Sequence, residues 1–285
     1  MAEQLIGNLL VAQSGGPTAV INSSIAGVII EAGRHECIEE IYGGLNGVYG
    51  ILHEELIDIG EENTRAIQRL KHTPGAALGT CRYKINFQKE PEQAQQDMDR
   101  LFDIFQAHNI RYFFYAGGND SQDTTNKVHL EAQNRGYDLR AIGVPKTIDN
   151  DTVMTDHCPG YGSAARFVAL ATMGAGRDAE SMRTAAPITI IEVMGRDAGW
   201  LAASAILAKQ DERDAPHVIC VPEVPVVEDI FLEQMEDAYR RYGFAVAVVS
   251  ENARGLNGVL GGKQDPNLVD DFGHEYYDGP ARYLA

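Results

Sequence analysis

The sequence predicts an α/β fold made of two Rossmann-like, three-layer domains with largely parallel sheets. Short apolar runs alternate with segments of helical period, the pattern of a parallel sheet that is covered by helices on both faces. Glycine-rich turns follow several of the apolar runs. A polar interval at residues 155–161, which contains Pro159 and Gly160, separates two patterned halves. We interpret these halves as domains of residues 1–155 and 156–285.

In the first half, apolar runs predict strands and amphipathic runs predict helices. The predicted strands are residues 5–13, 39–42, 110–116 and 139–144, and the predicted helices are residues 19–32, 64–72, 92–108 and 124–135. The clearest helix is residues 92–108, because Met98, Leu101 and Phe105 recur at helical spacing. The glycine cluster at residues 43–47 predicts a turn.

The second half repeats the alternation. Its predicted strands are residues 188–193, 217–221 and 244–250, and its predicted helices are residues 161–183, 201–209 and 229–242. The segment Gly174-Ala175-Gly176 falls inside the first of these helices, and we expect it to interrupt that helix because glycine disfavours helix interiors.

Composition limits the classes of function. With 44% apolar and 23% charged residues, the chain is an ordinary globular protein. A net charge of −17 argues against nucleic acids and anionic membranes as partners, because both require a basic surface. The sequence has neither an apolar run long enough for a membrane span nor a secretory signal. Its four cysteines form no Cys-x-x-Cys pair, so we expect free or packed thiols and a cytoplasmic location.

Two loops carry the residue types that phosphoryl transfer needs. Residues 143–151 place Lys146 and Asp149 directly after a predicted strand, and residues 117–121 place Asp120 after paired glycines. Open α/β sheets bind ligands at the carboxyl ends of their strands. A lysine neutralises phosphate charge and a carboxylate accepts the proton of the nucleophile. The sequence therefore predicts a phosphoryl-transfer site in these loops.

A third turn, Ser14-Gly15-Gly16-Pro17, lies between a predicted strand and a predicted helix. Such turns present backbone N–H groups to phosphate, but they also occur for steric reasons alone, so both interpretations remain open at this point. Arg82 and Lys84 lie near Gly79 in a predicted loop, a pattern typical of a solvated surface.

Together these loops resemble the phosphofructokinase family. The resemblance rests on Ser14-Gly15-Gly16, Gly117-Gly118-Asn119-Asp120-Ser121, Thr147-Ile148-Asp149-Asn150-Asp151 and Met194-Gly195-Arg196, which occur in this order after predicted strands. It implies transfer of a phosphoryl group to the 1-hydroxyl of fructose 6-phosphate, with Mg²⁺ as cofactor, by a homodimer or homotetramer. It also implies that residues 1–155 bind the phosphoryl donor and that residues 156–285 bind the sugar phosphate. Because the family continues beyond the position of Ala285, we expect the second domain to be incomplete at its carboxyl end.

The resemblance assigns roles to single residues. It implies that Asp149 is the catalytic base and that Gly16 and Arg82 bind the donor. It also implies that the sugar phosphate is bound by Thr147 and Ile148 beside the sugar, by Met194, Gly195 and Arg196 at its phosphate, and by Glu251 at its hydroxyls. Asn119 stands where most members of the family have a metal-binding aspartate. A positioned carboxylate typically accelerates such a proton transfer about 10²- to 10⁴-fold. The alternative for Asp149 is a loop-capping Asx turn, and Asp151 fits a structural role equally well.

Two positions bear on the identity of the donor. Members of the family that use pyrophosphate have Asp and Lys at the positions of Asp120 and Lys146, where ATP-using bacterial members have Gly. A carboxylate at Asp120 would repel the α-phosphate of ATP, and Lys146 would attract pyrophosphate. Pyrophosphate is therefore the expected donor.

The alternatives are an ATP-dependent 6-phosphofructokinase and a non-catalytic, regulatory paralogue that binds sugar phosphate. A kinase of the NAD or lipid type shares a similar glycine turn but lacks the Thr147–Asp151 loop. A dehydrogenase is disfavoured because no Gly-x-Gly-x-x-Gly follows a strand.

Overall fold

The computed structural model describes residues 5–260, 268–269, 275–276 and 279–285. Its contacts divide the chain into two compact units, Met1–Thr147 and Ile148–Ala285. Each unit contains a largely parallel sheet packed against helices, which confirms the predicted α/β class. The assignment of separate functions to residues 1–155 and 156–285 stays a prediction.

The first unit contains a five-stranded sheet in the order β3-β2-β1-β4-β5. Its strands are β1 (Gly7–Gln13), β2 (Ile38–Gly44), β3 (Leu56–Asp58), β4 (Ile110–Gly117) and β5 (Arg140–Pro145), and its helices are α1 (Ile21–Ala32), α2 (Gly47–Leu52), α3 (Thr64–Leu70), α4 (Pro91–Ala107) and α5 (Asn119–Asn134). All pairings are parallel except that of β2 with β3. Because β1 lies between β2 and β4, the strand order reverses at β1, the type of position where open α/β sheets bind ligands.

Strand β1 is buried on both faces, and its central residues Leu9 to Ala12 are apolar. Leu10 and Ala12 pack with residues of α2 and α4, whereas Leu9 and Val11 pack with residues of α1 and α3. This alternation follows from the two-residue period of a strand. Because β1 is packed on both faces, the glycine turn after Gln13 follows a rigid element of the fold.

The second unit contains a three-stranded parallel sheet in the order β6-β8-β7. Its strands are β6 (Ile188–Val193), β7 (Val218–Cys220) and β8 (Ala245–Ser250), and its helices are α6 (Tyr161–Ser181), α7 (Trp200–Ser204), a 3₁₀ turn (Ala205–Ala208), α8 (Glu228–Tyr242) and α9 (Pro280–Leu284). The short strands β9 (Arg254–Gly255) and β10 (Gly258–Val259) pair with each other, as do β11 (Leu268–Val269) and β12 (Glu275–Tyr276). Every residue of the central strand β8 is buried.

Three local predictions are wrong in whole or in part. Helix α6 continues through Gly174-Ala175-Gly176. The glycine at position 176 permits close packing, because a Cβ there would lie 2.6 Å from the Cβ of Ala215. The turn predicted at residues 43–47 is confined to Leu45 and Asn46, and Gly43 and Gly44 end β2, where Leu78 and Ile51 occupy the space that side chains would need. Helix α5 begins at Asn119 and not at Thr124. The apolar pattern does not detect its first turn, because the residues of that turn are polar.

None of the helices in the described part of the chain combines the length and the apolar composition that spanning a bilayer requires. The four cysteines are free thiols, in agreement with the expectation from their spacing.

Candidate active site

The turn after β1 brings Gly15 and Gly16 to the switch point of the first sheet. Gly15 has a φ of 75°, a conformation that favours glycine. Its N–H donates to the carbonyl of Cys81 at 3.0 Å, and its own carbonyl accepts from the hydroxyl of Thr80 at 2.6 Å. Gly16 is exposed, and a Cβ on it would meet no atom within 4 Å. A ligand therefore has open space on the side of Gly16.

Lys146 follows β5 and is only 4% exposed. Its ammonium donates to the carbonyl of Gly16 at 2.6 Å, although 130 residues separate them in the chain. Its backbone N–H donates to the carbonyl of Gly117 at 2.9 Å, which ties the end of β5 to the end of β4. A buried cation thus lies against the glycine turn, where it attracts an anionic ligand.

Asn119 and Asp120 form the first turn of α5, directly after the turn Gly117-Gly118. A Cβ on Gly117 would lie 2.0 Å from the hydroxyl of Ser121, so this turn requires glycine. The N-terminus of a helix has a partial positive charge and unsatisfied N–H groups, which favour an anion. Both side chains are exposed at the end of β4.

Asp120 accepts a hydrogen bond from the ammonium of Lys84 at 2.6 Å. This hydrogen bond raises the pKa of the Lys84 ammonium above its usual value. The side chains remain 43% and 76% exposed, so the ion pair contributes little to folding stability. Arg82, which the resemblance assigns to the donor, is exposed two residues before Lys84. Donor-side candidates from four segments therefore all lie on the first unit: Gly16, Arg82, Asn119, Asp120 and Lys146.

In the second unit, Asp149 is half-buried in the loop after β5, and its Oδ1 atom is shielded from solvent. The next residue, Asn150, has a φ of 57° and is buried. Its Oδ1 accepts from the N–H of Cys158 at 2.6 Å, and its Nδ2 donates to the carbonyl of Asp156 at 3.2 Å. Asn150 therefore closes the loop at residues 150–158, which begins directly after Asp149.

The ends of β6 and β8 lie side by side, since Val193 pairs with Ser250. Gly195 has a φ of 136°, its N–H donates to Glu251 Oε1 at 3.3 Å, and its carbonyl accepts from the hydroxyl of Ser250 at 2.6 Å. Nδ2 of Asn252 donates to the carbonyl of Arg196 at 2.6 Å. The structure thus brings the predicted sugar-side residues Met194, Gly195, Arg196 and Glu251 together at one end of this sheet.

Comparison with known proteins identifies the family. Residues 8–277 match the sequence profile of the family described as Phosphofructokinase. The chain belongs to the phosphofructokinase family. It is 45% identical over 280 residues to the pyrophosphate--fructose 6-phosphate 1-phosphotransferase of Halomonas elongata, an alignment that covers 98% of this chain and 66% of that protein.

Two solved structures of phosphofructokinase family members are similar to the chain. The pyrophosphate-dependent phosphofructokinase from Nitrosospira multiformis has a TM-score of 0.82 and 44% identity, covering 90% of this chain and 63% of that one. The enzyme of the same description from Marinobacter aquaeolei has a TM-score of 0.81 and 49% identity, covering 88% of this chain and 62% of that one. The chain therefore spans just under two thirds of the length of these phosphofructokinases.

The residues at the carboxyl ends of the first sheet can be compared with those that bind Mg²⁺ in proteins. Among the described residues, no three His, Cys, Asp or Glu side chains are grouped to hold a metal ion. The side chains at the start of α5 are the Asn119 amide and the Asp120 carboxylate. Mg²⁺ is commonly bound by one or two protein oxygens together with substrate phosphates. The residues therefore fit a Mg²⁺ ion that is held mainly by the phosphoryl donor.

Sequence patterns do not report the roles of three residues of this candidate site. Lys84 is exposed, as its pattern indicates, but the pattern does not report its ion pair with Asp120, and Thr80 and Asn150 have no assigned role. The only local signal for Lys84 was its position two residues after Arg82. Thr80 binds a carbonyl 65 residues away, and Asn150 binds backbone groups six and eight residues further along its loop; residue types alone do not report either contact.

Proposed function

We propose that this protein transfers a phosphoryl group from pyrophosphate to the 1-hydroxyl of fructose 6-phosphate, giving fructose 1,6-bisphosphate and phosphate in a reversible step of glycolysis and gluconeogenesis. The observation that carries the proposal is the 2.6 Å hydrogen bond from the buried Lys146 ammonium to the Gly16 carbonyl. It puts a cation against a glycine turn at the switch point of the sheet. The names of the relatives from Halomonas and Nitrosospira support the same activity.

On the donor side, the Gly16 N–H and the Arg82 guanidinium bind the phosphates of the donor. Lys146 neutralises the charge that develops as the phosphoryl group moves, an electrostatic contribution that usually dominates catalysis. Asp120 discriminates against ATP, because a carboxylate near the position of an α-phosphate repels it. Pyrophosphate has no further phosphate to be repelled.

On the acceptor side, Asp149 takes the proton of the 1-hydroxyl while that oxygen attacks the terminal phosphorus of pyrophosphate. The bond between this phosphorus and the bridging oxygen breaks, and phosphate leaves with the electron pair. The shielding of Asp149 Oδ1 from solvent supports this role, because a base in a dry site keeps its proton from bulk water.

Thr147 and Ile148 lie beside the sugar, in the same loop as the base. Met194, Gly195 and Arg196 contact its 6-phosphate, and Glu251 binds its hydroxyls. The 3.3 Å hydrogen bond from the Gly195 N–H to Glu251 supports this grouping, since it ties two of the contact segments to each other. The guanidinium of Arg196 supplies the positive charge that a phosphate ester requires in an otherwise acidic protein.

When bound, Mg²⁺ neutralises charge on the pyrophosphate oxygens, and Asn119 is the protein residue that would hold it. An amide oxygen ligates Mg²⁺ without adding negative charge. The donor's own oxygens then contribute most of the ligands. The start of α5 presents Asn119 beside Asp120, which supports placing the donor there.

The protein acts in the cytoplasm as a homodimer or homotetramer. The resemblance to the family supports this proposal, and the measured mass in solution by light scattering tests it. A monomeric mass for the active protein would contradict it.

The second candidate is an ATP-dependent 6-phosphofructokinase. The hydrogen bond from Lys84 to Asp120 favours it, because a neutralised carboxylate repels a nucleotide phosphate less strongly. The two candidates differ only in the donor, so donor kinetics separate them.

The experiment compares turnover of fructose 6-phosphate with Mg²⁺ and either pyrophosphate or ATP. We expect turnover with pyrophosphate and at least about 100-fold less with ATP, the discrimination that a few kcal/mol of repulsion gives. A variant with Asp120→Gly and Lys146→Gly together should gain activity with ATP and lose it with pyrophosphate. Turnover of the unaltered protein with ATP and none with pyrophosphate would reject the proposed donor.

A further inference from the structure

We propose that Thr80 is a positioning residue of the donor site, whose hydroxyl aims the Gly16 N–H at the phosphate of the donor. This inference rests on the proposed function. Thr80 Oγ1 donates to the Gly15 carbonyl at 2.6 Å, and the next residue, Cys81, accepts from the Gly15 N–H at 3.0 Å. Two consecutive residues of one segment thus bind both backbone groups of Gly15.

The geometry of the peptide bond connects this contact to the ligand. The carbonyl of Gly15 and the N–H of Gly16 belong to one planar unit, in which they point in opposite directions when the bond is trans. Among the described residues the cis peptide bond is Ala215–Pro216, so the bond between Gly15 and Gly16 is trans. Binding the Gly15 carbonyl to Thr80 therefore turns the Gly16 N–H away from Thr80. The Gly16 N–H is the group that the proposed function assigns to the donor phosphate.

The turn needs such a restraint. Glycine populates many backbone conformations, so an unrestrained pair of glycines loses more entropy than other residues when it is ordered. Gly15 has no side chain with which to fix itself, and its φ of 75° is one of several that glycine adopts readily. Thr80 holds the Gly15 carbonyl while Lys146 holds the Gly16 carbonyl at 2.6 Å, so two successive peptide units are fixed before a ligand arrives.

Buried amides hold the segment that carries Thr80. The N–H of Leu78 donates to Gln13 Oε1 at 2.9 Å, and the N–H of Ala77 donates to Asn22 Oδ1 at 2.7 Å. Gln13 Nε2 donates to the same oxygen of Asn22 at 3.0 Å. Both amide side chains are almost fully buried, at 0% and 1% exposure. Because Gln13 and Asn22 flank the glycine turn, the segment before Thr80 is fixed to the same strand and helix that the turn connects.

Thr80→Val tests the proposal, because valine keeps the branched shape of threonine and removes the hydroxyl. Losing one hydrogen bond of ordinary strength changes an equilibrium about 2- to 12-fold. We therefore expect a 2- to 12-fold rise in both the KM and the calorimetric Kd for pyrophosphate. The KM for fructose 6-phosphate should stay unchanged, and the melting temperature should fall by no more than a few degrees, since one hydrogen bond is lost. Thr80→Ser retains a hydroxyl and should restore the affinity for pyrophosphate.

Thr73→Val is the matched control, since the Thr73 hydroxyl also donates to a carbonyl, that of Arg69 at 2.9 Å, in an exposed position. It should leave the affinity for pyrophosphate unchanged. An unchanged pyrophosphate KM and Kd in Thr80→Val would overturn the positioning role, as would an equal rise in both KM values with a melting temperature lower by more than a few degrees.

The calorimetric measurement separates this inference from the proposed function. If the unaltered protein binds pyrophosphate without turning over fructose 6-phosphate, the proposed function fails while the comparison of Thr80→Val with Thr80→Ser still decides the role of Thr80. If the unaltered protein does not bind pyrophosphate at all, both proposals are rejected.

Discussion

Lys84 donates a hydrogen bond of 2.6 Å to the Asp120 carboxylate, across 36 residues of sequence. The pair joins the segment after Gly79 to the first turn of α5, and both side chains remain open to solvent. The carboxylate proposed to discriminate against ATP therefore has a counter-ion, and the charge that a donor meets depends on both residues.

Lys84→Met should weaken the use of pyrophosphate. Without the ammonium, the donor side loses a positive charge that attracts the anionic donor, and a unit charge at about 4 Å in water changes the interaction by about 1 kcal/mol, or about fivefold. We expect kcat/KM for pyrophosphate to fall by about that factor, and the fall to shrink at high salt because exposed charges are screened. Lys89→Met removes an exposed lysine from the same region and serves as the control. An unchanged kcat/KM in Lys84→Met would show that the pair has no effect on the donor.

Asp149→Asn should abolish most of the turnover without weakening the binding of pyrophosphate. An amide has the shape of the carboxylate but does not accept the proton, so kcat should fall about 10²- to 10⁴-fold. Calorimetry with pyrophosphate should give the same Kd for the variant and the unaltered protein. Asp156→Asn, an exposed carboxylate in the same loop, should leave kcat unchanged. A kcat for Asp149→Asn within tenfold of the original would exclude Asp149 as the base.

Asn150→Ala should destabilise the second unit. The change leaves the buried N–H of Cys158 without its 2.6 Å acceptor and puts alanine at a φ of 57°. We expect a loss of about 2–4 kcal/mol in the free energy of unfolding, from about 1–3 for the orphaned donor and about 1 for the backbone. Asn150→Gly tolerates the backbone conformation and should lose less. Equal losses in the two variants, measured by urea unfolding, would rule out a backbone contribution.

Acidification should destabilise the protein through His217. Nδ1 of this residue accepts from the N–H of Val246 at 3.0 Å, and its ring packs between Tyr242 and Phe244. Burial lowers the pKa of His217, and the nearby ammonium of Lys209 lowers it further. The unfolded chain therefore binds the proton more tightly, so stability is complete above the ordinary pKa of about 6.5 and falls as the pH drops below it.

The measurement compares urea midpoints at pH 7.5 and 5 for the unaltered protein and for His217→Gln. The decrease should be smaller in the variant, which has no imidazole to protonate. His129→Gln replaces a histidine that faces Gln133 on the exposed side of α5 and should leave the decrease unchanged. A decrease of equal size in His217→Gln and the unaltered protein would exclude this residue as the cause.

Elements with a strong local period were predicted correctly. Strands β4 and β5 and helix α4 occur within a few residues of their predicted bounds, because their apolar spacing is a property of short stretches of chain. The predicted bounds failed where the decisive contact is long-range. Gly176 packs closely against Ala215 and Gly43 against Leu78, and these contacts leave no space for a side chain at either glycine.

The residues of the candidate site also divide into those that a local pattern predicts and those whose role depends on long-range contacts. Loops that follow strands are identifiable in the sequence. The structure brings Glu251 to Gly195 at the ends of the adjacent strands β8 and β6, and it brings Lys146 to Gly16 although β4 separates β5 from β1. The residues that bind and orient these loops are not identifiable from the sequence. Thr80 and Lys84 act on partners 65 and 36 residues away, and a pattern of residue types does not encode which partners meet.

The order of glycine turns, cations and carboxylates along the chain by itself determined the family and the chemistry that its loops can support, because residue type and strand position are local properties. Only the tertiary structure decided how those groups are held: that Lys146 is buried on a carbonyl, that Asp120 is neutralised by Lys84, and that Thr80 and Asn150 set the backbone of two loops. The contacts of Lys146, Lys84 and Thr80 join segments that are far apart in the chain, so they exist only after the sheets and helices have packed.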